Sequence, residues 1–239
     1  MRTPLLKVSR EQLDEFIAGL ARRYAVYGPV VKERSFGREF HTFARIADPA
    51  RMTIGYTWTI LSPKKLLMPQ YEKLFDYYLP GVDCQAELDE QPRIVFGVHN
   101  CDMNAVNLLD WVFLEDTPDS YYAARRKATL FAGVTCVPDR ECFCISIDWY
   151  QVDKGFDLYL HVAGDRMMLE ALSPRGAELL GRHATGDRAS EREARDLLAE
   201  EEEFVRTRQT LKMNTQAANL PVLFTACYEC PVWEETAAR

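Results

Sequence analysis

A mixed α/β fold built on a central sheet is what this chain predicts, and three observations point to it. Arg93-Ile94-Val95-Phe96-Gly97-Val98, behind Pro92, and Thr129-Leu130-Phe131-Ala132-Gly133-Val134 are short apolar runs bounded by turn signals. Runs of that kind suit strands buried on both faces of a parallel sheet. Between them Ala105, Leu108, Leu109 and Val112 fall at helical spacing, and Cys101 to Arg126 is long enough for a helical crossover. Elsewhere, alternating segments read as antiparallel strands. The expected architecture is a central mixed sheet with a parallel strand–helix–strand core and flanking helices.

The remaining elements follow in chain order. Ser9 and Gln12 form a capping box, and Leu13, Phe16, Ile17, Leu20, Ala21 and Tyr24 then line one helical face. Tyr24 to Val31, broken by Gly28-Pro29, and Glu39 to Ile46 read as short antiparallel strands. Leu61 to Lys65 is a loop entering a helix through Tyr71 to Tyr78, and Gly81 to Gln91 is a polar connection. Phe156 to Val162 and Arg166 to Leu172 alternate around Ala163-Gly164-Asp165, as a β-hairpin does. Ser173-Pro174 starts a helix that ends near Gly181, with proline at its favoured first position. Ser190 and Glu193 make a second capping box before a highly charged helix. Its run Glu200-Glu201-Glu202-Glu203 reads as a solvated face.

Of the seven cysteines, Cys101, Cys136, Cys142 and Cys144 concentrate the chemistry. Strand, helix and strand in one sheet bring both strand ends to the same edge, where α/β proteins build sites. Cys101 lies three residues past the first strand and Cys136 two past the second. The loop from Cys136 brings Cys142 and Cys144, a C-x-C, into reach. Four converging thiolates are a ligand set for a [4Fe–4S] cluster or for zinc, and a helix N-terminus beside Cys101 would stabilise a thiolate. The same residues are also compatible with buried thiols acting as small hydrophobes, or with a disulfide. Nothing at the N-terminus reads as a secretory signal, which points to a reducing compartment and against the disulfide. Cys227 and Cys230 form a C-x-x-C with no second pair downstream.

Composition bounds the class. The chain has 239 residues, 47% hydrophobic and 27% charged, with a net charge of −7. That charge argues against a nucleic-acid binder, which carries a basic patch or stripe. No apolar run approaches the ~20 residues needed to span a bilayer, so no direct membrane insertion and a cytoplasmic location are expected. No glycine-rich phosphate loop, serine-nucleophile motif or H-E-x-x-H is present.

These residues resemble a known family of iron–sulfur subunits, found in sulfhydrogenases as the beta subunit and also in anaerobic sulfite reductase. The resemblance rests on Ser62-Pro63-Lys64-Lys65 with Pro69, on Phe96-Gly97 with Cys101-Asp102, and on Leu109-Asp110-Trp111-Val112-Phe113-Leu114. It continues through Tyr121-Tyr122-Ala123-Ala124-Arg125-Arg126, Glu141-Cys142-Phe143-Cys144, Gly155-Phe156-Asp157-Leu158, Gly164-Asp165-Arg166 and Pro231-Val232-Trp233-Glu234-Glu235. It covers about Thr57 to the end and is strongest from Arg93 to Asp165. Two departures stand out. His99-Asn100 replaces the family's Arg-Pro, so that arginine's role is not carried over. Ile145 to Tyr150 replaces a glycine-containing turn after the Cys-Phe-Cys.

The resemblance implies an electron-transfer protein within a complex rather than a stand-alone enzyme, with Cys101, Cys136, Cys142 and Cys144 on one [4Fe–4S] cluster. Asp102, His99 and Asp148 are then nearby polar candidates, and Phe143 a shield against water. It implies flavoprotein and catalytic subunits as partners, and a C-terminal ferredoxin domain beginning just past Arg239. Residues 1–218 are then an N-terminal α/β domain and residues 219–239 a linker towards the ferredoxin domain. The alternatives are a structural or docking module with a zinc or empty cysteine site, and a thiol enzyme pairing Cys101 with His99.

Overall fold

In the computed structural model, residues 5–35, 37–78, 83–136, 142, 144 and 149–216 are described. The core is made by strands whose side chains are buried on both faces. A two-residue β1 (Leu6–Lys7) leads to α1 (Arg10–Leu20). The Ser9 hydroxyl accepts from the Gln12 N–H, and the Gln12 side chain returns the bond to the Ser9 backbone, the expected capping box. Leu13, Phe16, Ile17 and Leu20 are the buried face.

β2 (Ala25–Ser35) and β3 (Arg38–Arg45) pair antiparallel, as expected. Gly28-Pro29 does not break β2. Its parallel pairing to the next core strand covers only Ala25 to Tyr27, so Pro29 sits where the strand has one neighbour, a position that tolerates a missing N–H. Two 3-10 turns follow, Pro49–Arg51 and Pro63–Leu66, the second capped by the Ser62 hydroxyl. The helix expected through Tyr71 to Tyr78 is absent. β4 (Phe75–Tyr78) is a strand instead, and the expected polar connection holds its partner β5 (Asp83–Ala86). Aromatic Phe75, Tyr77 and Tyr78 suit a pleated pair better than a helix.

β6 (Arg93–Val98) and β7 (Thr129–Val134) are buried at every residue and run parallel. The crossover between them is two helices, α2 (Asn100–Leu114) and α3 (Ser120–Ala128). Asp116 with positive φ, Pro118 and the N-cap Asp119 separate the two helices of the expected crossover. The buried residues of α2 are Met103 and Val106, with Leu109 and Phe113 packed on the core, whereas Leu108 and Val112 are exposed.

β8 (Leu158–Ala163) pairs parallel to β7 and antiparallel to β9 (Arg166–Ala171), completing the expected hairpin. α4 (Pro174–His183) starts at Ser173-Pro174, as the sequence predicts. β10 (Asp187–Arg188) pairs with β1, and α5 (Glu191–Gln216) begins at the Ser190–Glu193 capping box. The eight-stranded mixed sheet has the order β10-β1-β9-β8-β7-β6-β2-β3. The expected 219–239 linker, Cys227, Cys230 and Trp233 lie outside the described residues. Among the described residues no helix is long and apolar enough to cross a membrane.

Asp157, at the entrance to β8, ties three elements together. Its carboxylate accepts from the Phe131 N–H at 3.1 Å and from the Ser173 hydroxyl at 2.6 Å. It is only 5% exposed. Asp157→Ala leaves the buried Phe131 N–H without its acceptor. A loss of about 2–4 kcal/mol is expected, read as a lower urea midpoint at unchanged slope.

Candidate functional site

Three of the four candidate cysteines meet where the parallel strands end. Gly97 has φ +77, in a region open to glycine, and lies where the β6–β7 register shifts between Phe96 and Val98. That bulge turns the chain into α2, whose first turn carries Cys101. Cys136 follows β7 by two residues. Cys101, Cys136 and Cys144 line one cavity of about 50 Å³, together with Thr135, Tyr159 and Glu201. Cys142, half-buried, is not among the residues that line it. Phe143 and Asp148 lie outside the described residues. Among the described residues no three His, Cys, Asp or Glu side chains stand in a metal-holding group. The donor chemistry suits a thiophilic centre: three thiols on one cavity, one of them at the positive end of a long helix, and a fourth two residues away in sequence.

Polar candidates behind Cys101 have specific surroundings. His99 is buried and its ring stacks on Tyr56, with centroids 4.1 Å apart and planes 12° from parallel. Burial pushes its pKa down to about 4, so the ring is neutral, and among the described residues Nε2 has no hydrogen-bond partner. Among the described residues no hydrogen bond joins His99 to Cys101, so the geometry offers no thiol–imidazole dyad. The Tyr56 hydroxyl donates to the Gly97 carbonyl at 2.7 Å and holds the bulge in place. Burial raises the Tyr56 phenol well above its usual range, and the charges of Asp102, Cys136 and Cys101 raise it further. Asp102 itself is raised by burial, offset by the Ser62 hydroxyl, which donates to it at 2.6 Å, and by Lys64. The Ser-Pro-Lys-Lys and Cys-Asp stretches, separate in sequence, are therefore one structural unit.

Sequence reasoning missed the opposite wall. Glu201, within the acidic run read as a solvated face, turns inward. Its carboxylate accepts from the Thr135 hydroxyl at 2.9 Å and meets His161 Nδ1 at 2.8 Å. The other ring nitrogen of His161 meets Glu170 at 3.1 Å. Glu202 and Glu203 are exposed, as a solvated face requires. A helical wheel that placed Leu197, fully buried, on the inner face would have put Glu201, four residues on, beside it. The Tyr159 hydroxyl donates to Asn100 at 3.2 Å. A cleft of about 920 Å³, whose lining includes Arg126, Lys154, His161, Glu170 and Arg175, shares Asn100, Tyr150, Tyr159 and Glu201 with the cysteine cavity.

An α/β domain that gathers thiols at the carboxyl ends of parallel strands, beside a polar cleft, is the class that fold and site define. The chain is 30% identical over 237 residues to sulfhydrogenase 2 subunit beta of Pyrococcus furiosus, spanning 98% of this chain and 67% of that protein. It belongs to the hydrogenase beta subunit family. No family model matches the chain, and no solved structure does.

His161 sets a pH dependence. Burial lowers its pKa, but hydrogen bonds to Glu170 and Glu201 and their charges outweigh that and raise it to about 9. A folded value above the unfolded one of roughly 6.5 means that protonation stabilises the fold. The contribution is complete below about pH 6.5 and is lost as pH rises through about 9, amounting to roughly 3 kcal/mol. Urea midpoints of the wild type should fall across that window more steeply than those of His161→Gln. Parallel curves would show that the ring does not hold its proton there.

Proposed function

We propose that this chain is the iron–sulfur electron-transfer part of a cytoplasmic redox complex of the hydrogenase or sulfite reductase type. Electrons pass between a flavin- or NAD(P)H-bearing partner and a catalytic partner. Cys101, Cys136, Cys142 and Cys144 are the ligands of one [4Fe–4S] cluster, which would supply single-electron transfer when bound. The observation that carries this reading is the meeting of Cys101, Cys136 and Cys144 on one cavity at the sheet edge. Kinship with a hydrogenase beta subunit supports it independently. A ferredoxin domain following residue 239 is the further partner that the motif resemblance implies.

On this reading the chain's own residues do four things. The first turn of α2 holds Cys101 at the sheet edge, beside the end of β6. Tyr56 and Tyr159, both buried, keep water from two sides. Asp102 is held by Ser62 behind Cys101, so its charge does not face the thiols undamped. Thr135 places the start of the Cys136 loop against α5 through Glu201.

A second reading, a docking module with zinc on the thiols, is favoured by one observation. The cavity of about 50 Å³ has room for one ion as it stands, whereas a four-iron cluster needs the thiols to part. Iron, sulfide and zinc measured in anaerobically prepared protein separate the two. Iron with equimolar sulfide and absorbance near about 400 nm supports the cluster, and zinc alone supports the second.

Cys142→Ser and Cys144→Ser should each strongly reduce bound iron, because a serine oxygen is a harder, poorer ligand. Cys84→Ser is the control, since Cys84 pairs with Tyr77 in the separate β4–β5 hairpin. Iron unchanged in both C-x-C variants would remove the cluster assignment. Equal loss in all three variants would reflect unfolding and would equally leave the assignment without support.

A further inference from the structure

Helix α2 carries asparagine at positions 100, 104 and 107, a spacing that places all three on one face. Asparagine is a poor helix former, because its side chain competes for backbone hydrogen bonds. Three in fifteen residues work against the helix, so their use lies elsewhere.

Their amides all go to one strip of backbone. Asn100 Nδ2 donates to the Tyr150 carbonyl at 2.8 Å. Asn104 Nδ2 donates to the carbonyls of Trp149 at 3.1 Å and Gln151 at 2.6 Å. Asn107 Nδ2 donates to the Lys154 carbonyl at 2.9 Å. Four carbonyls of the segment from Trp149 to Lys154, which lies outside helix and strand, thus find their donors on α2.

A second observation shows how closely the strip lies against the helix. Gly155 has φ +114, and a Cβ there would stand 2.8 Å from Met103 and 3.0 Å from the Asn107 side-chain oxygen. Only glycine fits. The strip is also one hydrogen bond from the cysteine loop, since the Trp149 N–H donates to the Cys144 carbonyl at 2.7 Å.

We propose that the asparagine row of α2 is a positioning device: it fixes Cys144 against Cys101, which stands on the same helix, and so sets the spacing of the thiols on their cavity. Asn104 is its centre, because it holds the residues nearest the Trp149–Cys144 bond. The consequence for a bound centre rests on the function proposed above. The positioning itself does not.

The test uses the full chain as wild type, Asn104→Leu, Asn104→Gln and Asn107→Leu, with circular dichroism as the check on folding. In metal-free protein the alkylation of Cys144 and Cys101 by iodoacetamide is followed by peptide mass spectrometry. Asn104→Leu should speed alkylation of Cys144 by about thirtyfold, the population shift that losing its two hydrogen bonds produces, and leave Cys101 unchanged. Asn107→Leu, which releases only Lys154, should give a smaller rise, and Asn104→Gln, which keeps an amide, should recover part of the protection. Should Asn104→Leu fail to fold, the Asn107→Leu and Asn104→Gln rates decide.

An unchanged Cys144 rate overturns the proposal. So does an equal rise at both cysteines, which is what a merely loosened fold would give. In anaerobic protein that holds iron or zinc, Asn104→Leu should also release metal to a chelator faster and, where the metal is iron, alter the spectrum of the reduced centre. Wild-type protein that takes up neither metal would sink the metal reading, and the alkylation rates alone would then decide whether the clamp exists.

Discussion

The parallel alignment of β6, β7 and β8 is the constraint on which the site depends. Every side chain of β6 and β7 is buried, and both strands are paired on both sides. Phe96 and Phe131, both fully buried, gain on the order of 1.5–3 kcal/mol each from leaving water. A one-residue slip would also turn a strand end away from its neighbour. Because the strands run in one direction, the chain leaves β6 and β7 at the same edge. Cys101 and Cys136 are adjacent for that reason, not through any attraction between them. The Gly97 bulge adds the turn that puts Cys101 in the first turn of α2.

The carboxylates around the cavity are damped or paired rather than left facing it. The α2 N-terminus contributes partial positive charge at Cys101. Asp102, pushed by burial towards its neutral form and bonded to Ser62, adds less negative charge than a solvated carboxylate would. Glu201 lines the cavity, but its charge is answered by the protonated His161 ring at 2.8 Å. His99 stays neutral behind Tyr56. These pairings damp the carboxylates beside the cavity, so the three thiols that line it meet little unpaired negative charge.

Legibility in the sequence followed the range of the forces involved. The Ser9–Gln12 box, the Ser173-Pro174 start and the β8–β9 hairpin are local signals, and each lies where the sequence places it. The parallel pair is legible because a continuous apolar run of strand length, closed by turn residues, has nowhere to go but between two covered faces. The stretch from Tyr71 to Tyr78 misleads because a four-residue strand is too short for its aromatic preference to stand out, and β4 is completed by its partner β5. The face of α2 misleads in a related way. Leu108 and Val112 have helical spacing, yet the sheet meets the turn side that carries Met103 and Val106. Glu201 and the asparagine row stay hidden because polar residues on a helix read as solvated until a tertiary acceptor is known.

The site therefore has two halves with different origins. Cys101 and Cys136 are set by the sheet edge, whose position is fixed by core burial. Cys144 is set by a polar strip that α2 holds through its asparagines and through the tight passage at Gly155. The core half cannot shift without unpacking Phe96 and Phe131, whereas the strip is held by hydrogen bonds worth about 1 kcal/mol each. Anything that occupies the cavity must then fit its geometry to the fixed pair and adjust the held one. That division explains why the hydrogen-bonded half carries three asparagines at a cost in helix propensity. It is the half that burial alone does not determine.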